Sequence, residues 1–133
     1  MPMYTCTTTQ GSLTSEVKAL LAAEITRIHV DINHVPPAYV NVVFFELPTD
    51  SVFAGGQPAK TLILTGWVRR GHPQKEATRL ALELSSAIAR ISGVDESQTM
   101  VVLQDAPARS AVEGGHVLPE PGEEEEWPRR TGA

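Results

Sequence analysis

The chain has 133 residues, ten glycines, ten prolines, a single cysteine and a formal net charge of −5. That length fits one domain with a modest core, and the acidic balance argues against nucleic acid or an anionic membrane surface as the main partner. Cys6, standing alone, excludes a disulfide framework and a thiolate metal cluster; with no long apolar run and no basic-then-apolar leader, a cytoplasmic protein is expected.

The chain opens Met1-Pro2-Met3-Tyr4. Initiator methionine is readily trimmed before a small side chain, so the mature protein is expected to begin at Pro2, a secondary amine. A free α-amino group titrates near pH ~8, and burial beside cationic neighbours lowers that value toward neutrality. Such a nitrogen can take a proton from a carbon acid and return it. Residues 2–9 are rich in threonine and end at Gln10-Gly11, which predicts a strand. Thr14 is an expected N-cap, and Val17, Leu21, Ile25, Ile28 and Ile32 recur at helical spacing, predicting a helix over 14–33. Pro36-Pro37 stops it, and 39–47 predicts a second strand.

The order then repeats. A connection over 50–60 carries Gly55-Gly56, suited to a sharp turn or a small hairpin. Residues 61–68 predict an apolar strand. Pro73 opens a helix whose inner face is Ala77, Leu80, Ala81, Leu84, Ile88 and Ile91, and Gly93 closes it. Residues 99–103 predict the last core strand. The fold class expected is α/β (α+β): two βαβ units forming a four-stranded sheet with two helices on one face. One domain is expected over 1–133, with units at 2–49 and 60–105 and an extension over 106–133.

Both faces of the strands are apolar: Leu62 and Leu64 oppose Ile63 and Trp67, and Val43 and Phe45 oppose Val42 and Phe44. Two helices cover one face, so further copies of the chain are expected on the other, giving a homo-oligomer. The extension, with four prolines, glycines at 114, 115 and 122 and the run from Glu123 to Glu126, cannot build a core of its own. Val112, Val117, Leu118 and Trp127 offer apolar points for docking it.

Pro2, the two βαβ units and the proline- and glycine-rich extension together resemble the tautomerase superfamily, and within it the cis-3-chloroacrylic acid dehalogenase group. The more specific stretches are Glu24–His29, Val52–Gly56, Gly66–Gly71 and Val112–Gly122, with Glu126-Trp127 after them. The resemblance implies that Pro2 shuttles a proton, that His29 helps bind substrate carboxylate or orient water, and that Arg69 grips that carboxylate, a task suited to a planar guanidinium. Which of Arg69 and Arg70 faces the pocket stays open. It further implies a water-activating role for Glu113, a trimer, and a small carboxylate as substrate.

Two positions depart from the dehalogenase pattern. His72 stands where a second arginine is expected, and the last strand offers Val102 or Leu103 where the group has a tyrosine. Keto–enol tautomerisation needs only a base that returns its proton and a positive site for the enolate-like charge. It is therefore expected ahead of hydration or dehalogenation of short unsaturated acids, on substrates such as phenylpyruvate, with Tyr39, Phe44 and Val102 as an apolar wall. No cofactor is called for, and histidines 29, 34, 72 and 116 lack the clustered spacing of a metal site. A ferredoxin-like module that binds ligands without catalysis fits the same strand and helix order.

Overall fold

A computed structural model of the protein describes residues 2–127. The large elements are β1 (Met3–Thr9), α1 (Ser15–Asn33), β2 (Asn41–Leu47), the hairpin β3 (Phe53–Ala54) with β4 (Gln57–Pro58), β5 (Leu62–Arg69), α2 (Gln74–Ser92), β6 (Thr99–Ala106), and the hairpin β7 (Val112–Glu113) with β8 (His116–Val117). The four long strands lie in the order β2-β1-β5-β6. β1 and β5 are antiparallel at the centre, and each pairs in parallel with the outer strand of its own half. Two βαβ units thus share one sheet, as expected.

Local chemistry sets the boundaries. The Thr14 hydroxyl accepts the Val17 N–H at 3.1 Å, capping α1. The helix ends before the prolines: His34 turns left-handed at φ 56° and its N–H bonds the Val30 carbonyl. Pro73 is the cap before α2 rather than its first residue, and Gly93 terminates that helix at φ 79°. Tyr39 is not a strand residue. Its N–H bonds the Pro36 carbonyl at 3.0 Å within a 3₁₀ turn over Pro37–Tyr39, so it has no donor left for the ladder. Gly55-Gly56 turns the β3–β4 hairpin at positive φ, and Gly114-Gly115 does the same for β7–β8, a hairpin the sequence reading did not anticipate.

The main core lies between the helices and the sheet. Tyr4, Cys6, Leu21, Ile25, Leu62, Leu64, Leu84 and Ile88 are fully enclosed there. A second, smaller cluster joins the segment after α1 to the carboxy-terminal extension: Val35, Tyr39, Ala108, Leu118 and Trp127, with Trp67 against them. Leu118 and Trp127 dock the extension as expected, whereas Val112 and Val117 stay exposed. The sheet face away from the helices carries Met3, Val43, Phe45, Met100 and Val102, all exposed in the single chain, around the threonines Thr5, Thr7 and Thr65 of the central strands. Among the described residues no helix is long and apolar enough to cross a membrane.

Candidate active site

Pro2 precedes the Met3–Trp67 pair, at the end of the sheet where β5 runs out into Arg69. Its side chain is fully buried and its carbonyl accepts the Asn41 N–H at 3.1 Å. Two residues on, Tyr4 points inward from β1, and its hydroxyl lies 2.7 Å from Nδ1 of His29 on α1. The rings meet edge to face with centroids 5.6 Å apart. Tyr4 has room because residue 66 directly opposite is glycine; a Cβ there would sit 2.6 Å from the Tyr4 ring.

The other His29 nitrogen, Nε2, lies 3.2 Å from the Asn33 amide one helical turn later. If Tyr4 donates to Nδ1, Nε2 carries the hydrogen and gives it to the amide oxygen; in the other tautomer Nδ1 donates to Tyr4 and the amide nitrogen donates to Nε2. Either way both ring nitrogens are engaged. His29 is itself fully buried, with the Tyr4 ring against it. Burial above all, then the positive charges around it, including His72 and Arg69, push its pKa down to about 3, so the ring is neutral at pH 7. Burial likewise pushes the Tyr4 phenol up, keeping its proton in place.

The two arginines separate cleanly. Arg69 is buried with 4% of its side chain exposed, while Arg70 points outward and meets Asp105 at 3.4 Å. The Arg69 guanidinium donates to the Pro119 carbonyl through Nη1 and to Glu124 Oε1 through Nη2, both at 2.6 Å. Glu124 Oε2 in turn accepts the Gly122 N–H at 2.9 Å. Burial pushes the Glu124 carboxyl up, but the hydrogen bonds from Arg69 and the backbone and the Arg69 charge outweigh it and hold it below the usual carboxylate range. Nothing in the sequence pattern singled out Glu124: it is one of four consecutive glutamates, and only the path of the extension over β5 separates it from the others.

Glu113 is buried on β7, with 6% of the residue exposed, in the hairpin whose flanking residues Ala111 and Leu118 pack beside Tyr39 and Trp67. His72 is half-buried just after β5, with Nδ1 3.7 Å from Glu76 on α2. The expected apolar wall is not assembled. Tyr39 packs on Trp127 in the second cluster, Phe44 joins the main core beside Cys6, and Val102 lies on the opposite sheet face. Strand alternation separates Phe44 from Val102, since the register places them on different faces.

The two halves show how particular this end is. Superposing the two 19-residue helices end to end puts Ile88 where His29 is. The matching hairpins put Ala54 at the position of Glu113. Rotating β1 onto β5 about the Thr5–Thr65 pair puts Leu62 in place of Pro2 and Thr9 in place of Arg69. One end thus carries a proline, a histidine, an arginine and a carboxylate at four positions whose counterparts at the other end are Leu62, Ile88, Thr9 and Ala54.

The family model for proposed oxalocrotonate tautomerase enzymes, Tautomerase_3, matches residues 1–131. The chain belongs to this family. Tautomerase-superfamily membership agrees with the structural relatives. The crystal structure of N1, a member of the cis-3-chloroacrylic acid dehalogenase family, is 28% identical, with a TM-score of 0.91 over 94% of this chain and 89% of that one. Native Ps01740 is 33% identical, with a TM-score of 0.81 over 84% of this chain and 99% of that one. The R7 fused 4-OT asymmetric trimer is 26% identical, with a TM-score of 0.79 over 86% of this chain and 94% of that one. A search of curated proteins gives no match. As a tautomerase-superfamily enzyme, the protein has isomerase-type chemistry as its general class.

Proposed function

We propose that the protein is a cofactor-independent keto–enol tautomerase of 2-oxo and 2-hydroxyalkenoate acids, phenylpyruvate among them. The observation that carries this reading is the asymmetry of the two halves, which concentrates Pro2, His29, Arg69 and Glu113 at one end of the sheet. Removal of Met1 frees the Pro2 nitrogen. As a neutral amine it takes the proton from the enol oxygen or from C3 and redelivers it, with no net change in protonation. Arg69 holds the substrate carboxylate and balances the enolate-like charge. His29, neutral and bonded at both nitrogens, orients Tyr4 and the wall of the site rather than gripping substrate itself. His72 and Arg70 are the remaining candidates for carboxylate contact; the outward path of Arg70 favours His72.

Pro2→Ala tests the reading. Turnover of phenylpyruvate should fall roughly 10²–10⁴-fold, as for a lost acid–base group, with circular dichroism unchanged. Equal rates, or an intact mass that retains Met1, would remove Pro2 from the mechanism.

A second reading has its own support. Burial of Glu113 in the site hairpin and the likeness to N1 favour hydration or dehalogenation of short unsaturated acids such as cis-3-chloroacrylate. Against it stand His72 and the absence of a hydroxyl donor at Val102 or Leu103. Assaying 3-haloacrylates beside phenylpyruvate decides between them, faster haloacrylate turnover favouring the second. We further propose a homotrimer, with the exposed face of Val43, Phe45, Met100 and Val102 buried between copies, as the trimeric relative suggests. Sedimentation at monomer mass would contradict it.

A further inference from the structure

We propose that Glu124 sets the affinity of the site by occupying, on Arg69, the place a substrate carboxylate takes. This rests on the reading of Arg69 as the carboxylate clamp. The geometry is that of carboxylate recognition already satisfied from within: a buried guanidinium, one short charge-assisted bond to Glu124 Oε1, and a second to the Pro119 carbonyl. Both acceptors belong to the extension, which crosses the end of β5 as a strap. Pro121 lies against Gly71, where an added Cβ would come within 3.2 Å of the proline ring. Glu124 also borders a cavity of about 330 Å³ lined with His34, Pro36, Tyr39, Gly122 and Glu125, which gives its side chain room to leave.

An entering carboxylate therefore exchanges with Glu124 rather than adding to it. Two carboxylates on one buried arginine would repel each other, and one in place of the other conserves the charge balance. A tethered competitor is present at high effective concentration, so free ligand binds only to the fraction of molecules whose strap is off the arginine. Glutamine at 124 keeps the shape and an oxygen acceptor but not the charge.

The probe is 3-phenylpropanoate, an aryl acid with no keto group to react, titrated calorimetrically into wild type, Glu124→Gln and Arg69→Gln. Glu124→Gln should bind it about tenfold tighter than wild type. In wild type, the same ligand should speed amide hydrogen exchange in residues 118–127. Equal or weaker binding by a folded Glu124→Gln overturns the proposal, as does slower exchange in that segment on binding, which also decides the matter should the variant not fold. Arg69→Gln separates the two claims. If it binds like wild type, the clamp reading itself is wrong; if it loses binding while Glu124→Gln gains nothing, only the exchange is wrong.

Discussion

The main core and the smaller cluster at the candidate-site end are built on different principles. The main core is apolar, packs two helices on four strands, and repeats the same construction in both halves. The smaller cluster joins five buried residues drawn from the loop after α1 and from the extension, and it is tied down by polar contacts: Trp127 Nε1 to the Val117 carbonyl at 2.8 Å, and Arg69 to Pro119 and Glu124. Stability should therefore reside in the first and adjustability in the second. Segments held by few apolar contacts open locally without global unfolding, and binding sites draw on such segments.

Four measurements can break or sharpen that contrast. The largest effect is expected in the main core: Ile25→Ala should cost about 2–5 kcal/mol in denaturant unfolding, from lost burial and the cavity left behind. A loss under about 1 kcal/mol would mean that the core is less tightly packed than its burial implies.

Acid comes next. His29 titrates near 3 in the folded chain and near 6.5 when released, so below pH 6.5 the unfolded state takes up a proton that the folded state refuses. Stability is full above that point and falls as pH drops, at about 1.4 kcal/mol per unit until the folded value is passed. His29→Gln should flatten this part of the profile, leaving the carboxylates to act at lower pH. An unchanged slope would mean that the ring is protonated in the native state.

Gly66→Ala should cost about 1–3 kcal/mol, because its Cβ drives into the Tyr4 ring and the Leu103 side chain. Its tyrosine fluorescence and any turnover of phenylpyruvate should change together, since the Tyr4 hydroxyl meets His29. Loss of stability with full activity would separate Tyr4 from the site.

The smallest global effect belongs to Trp127→Ala. Deleting a buried tryptophan normally costs several kcal/mol, yet here the free energy of global unfolding should change by less than about 1 kcal/mol, because the extension can open by itself. Limited proteolysis within 118–127 should accelerate instead. A full core-sized loss would show that the two regions unfold as one.

Much of the frame was legible in the chain. Helical spacing from Val17 to Ile32, the Thr14 cap, Gly93 and the alternation in 62–68 are local signals, because caps and periodicity act over a few residues. The two-unit repeat placed the strands, and Gly55-Gly56 marked a sharp turn or a small hairpin, of which the hairpin is found. The errors fell where the decision was not local. Tyr39 reads as a strand residue but closes a proline-led turn. Phe44 and Val102 look like one wall and lie on opposite faces. The second hairpin repeats the first in pattern but sits in a segment whose composition suggests no structure.

Sequence by itself determined the two βαβ units, the second apolar face of the sheet, and the candidates Pro2, His29, Arg69 or Arg70, His72 and Glu113. Three-dimensional packing decided which arginine turns inward, that Tyr4 and Asn33 hold both nitrogens of His29, and that Glu124 meets Arg69. The reason is range. Turns, caps and hydrophobic periods depend on neighbours along the chain, whereas a charge finds its partner through the path of a segment 55 residues away.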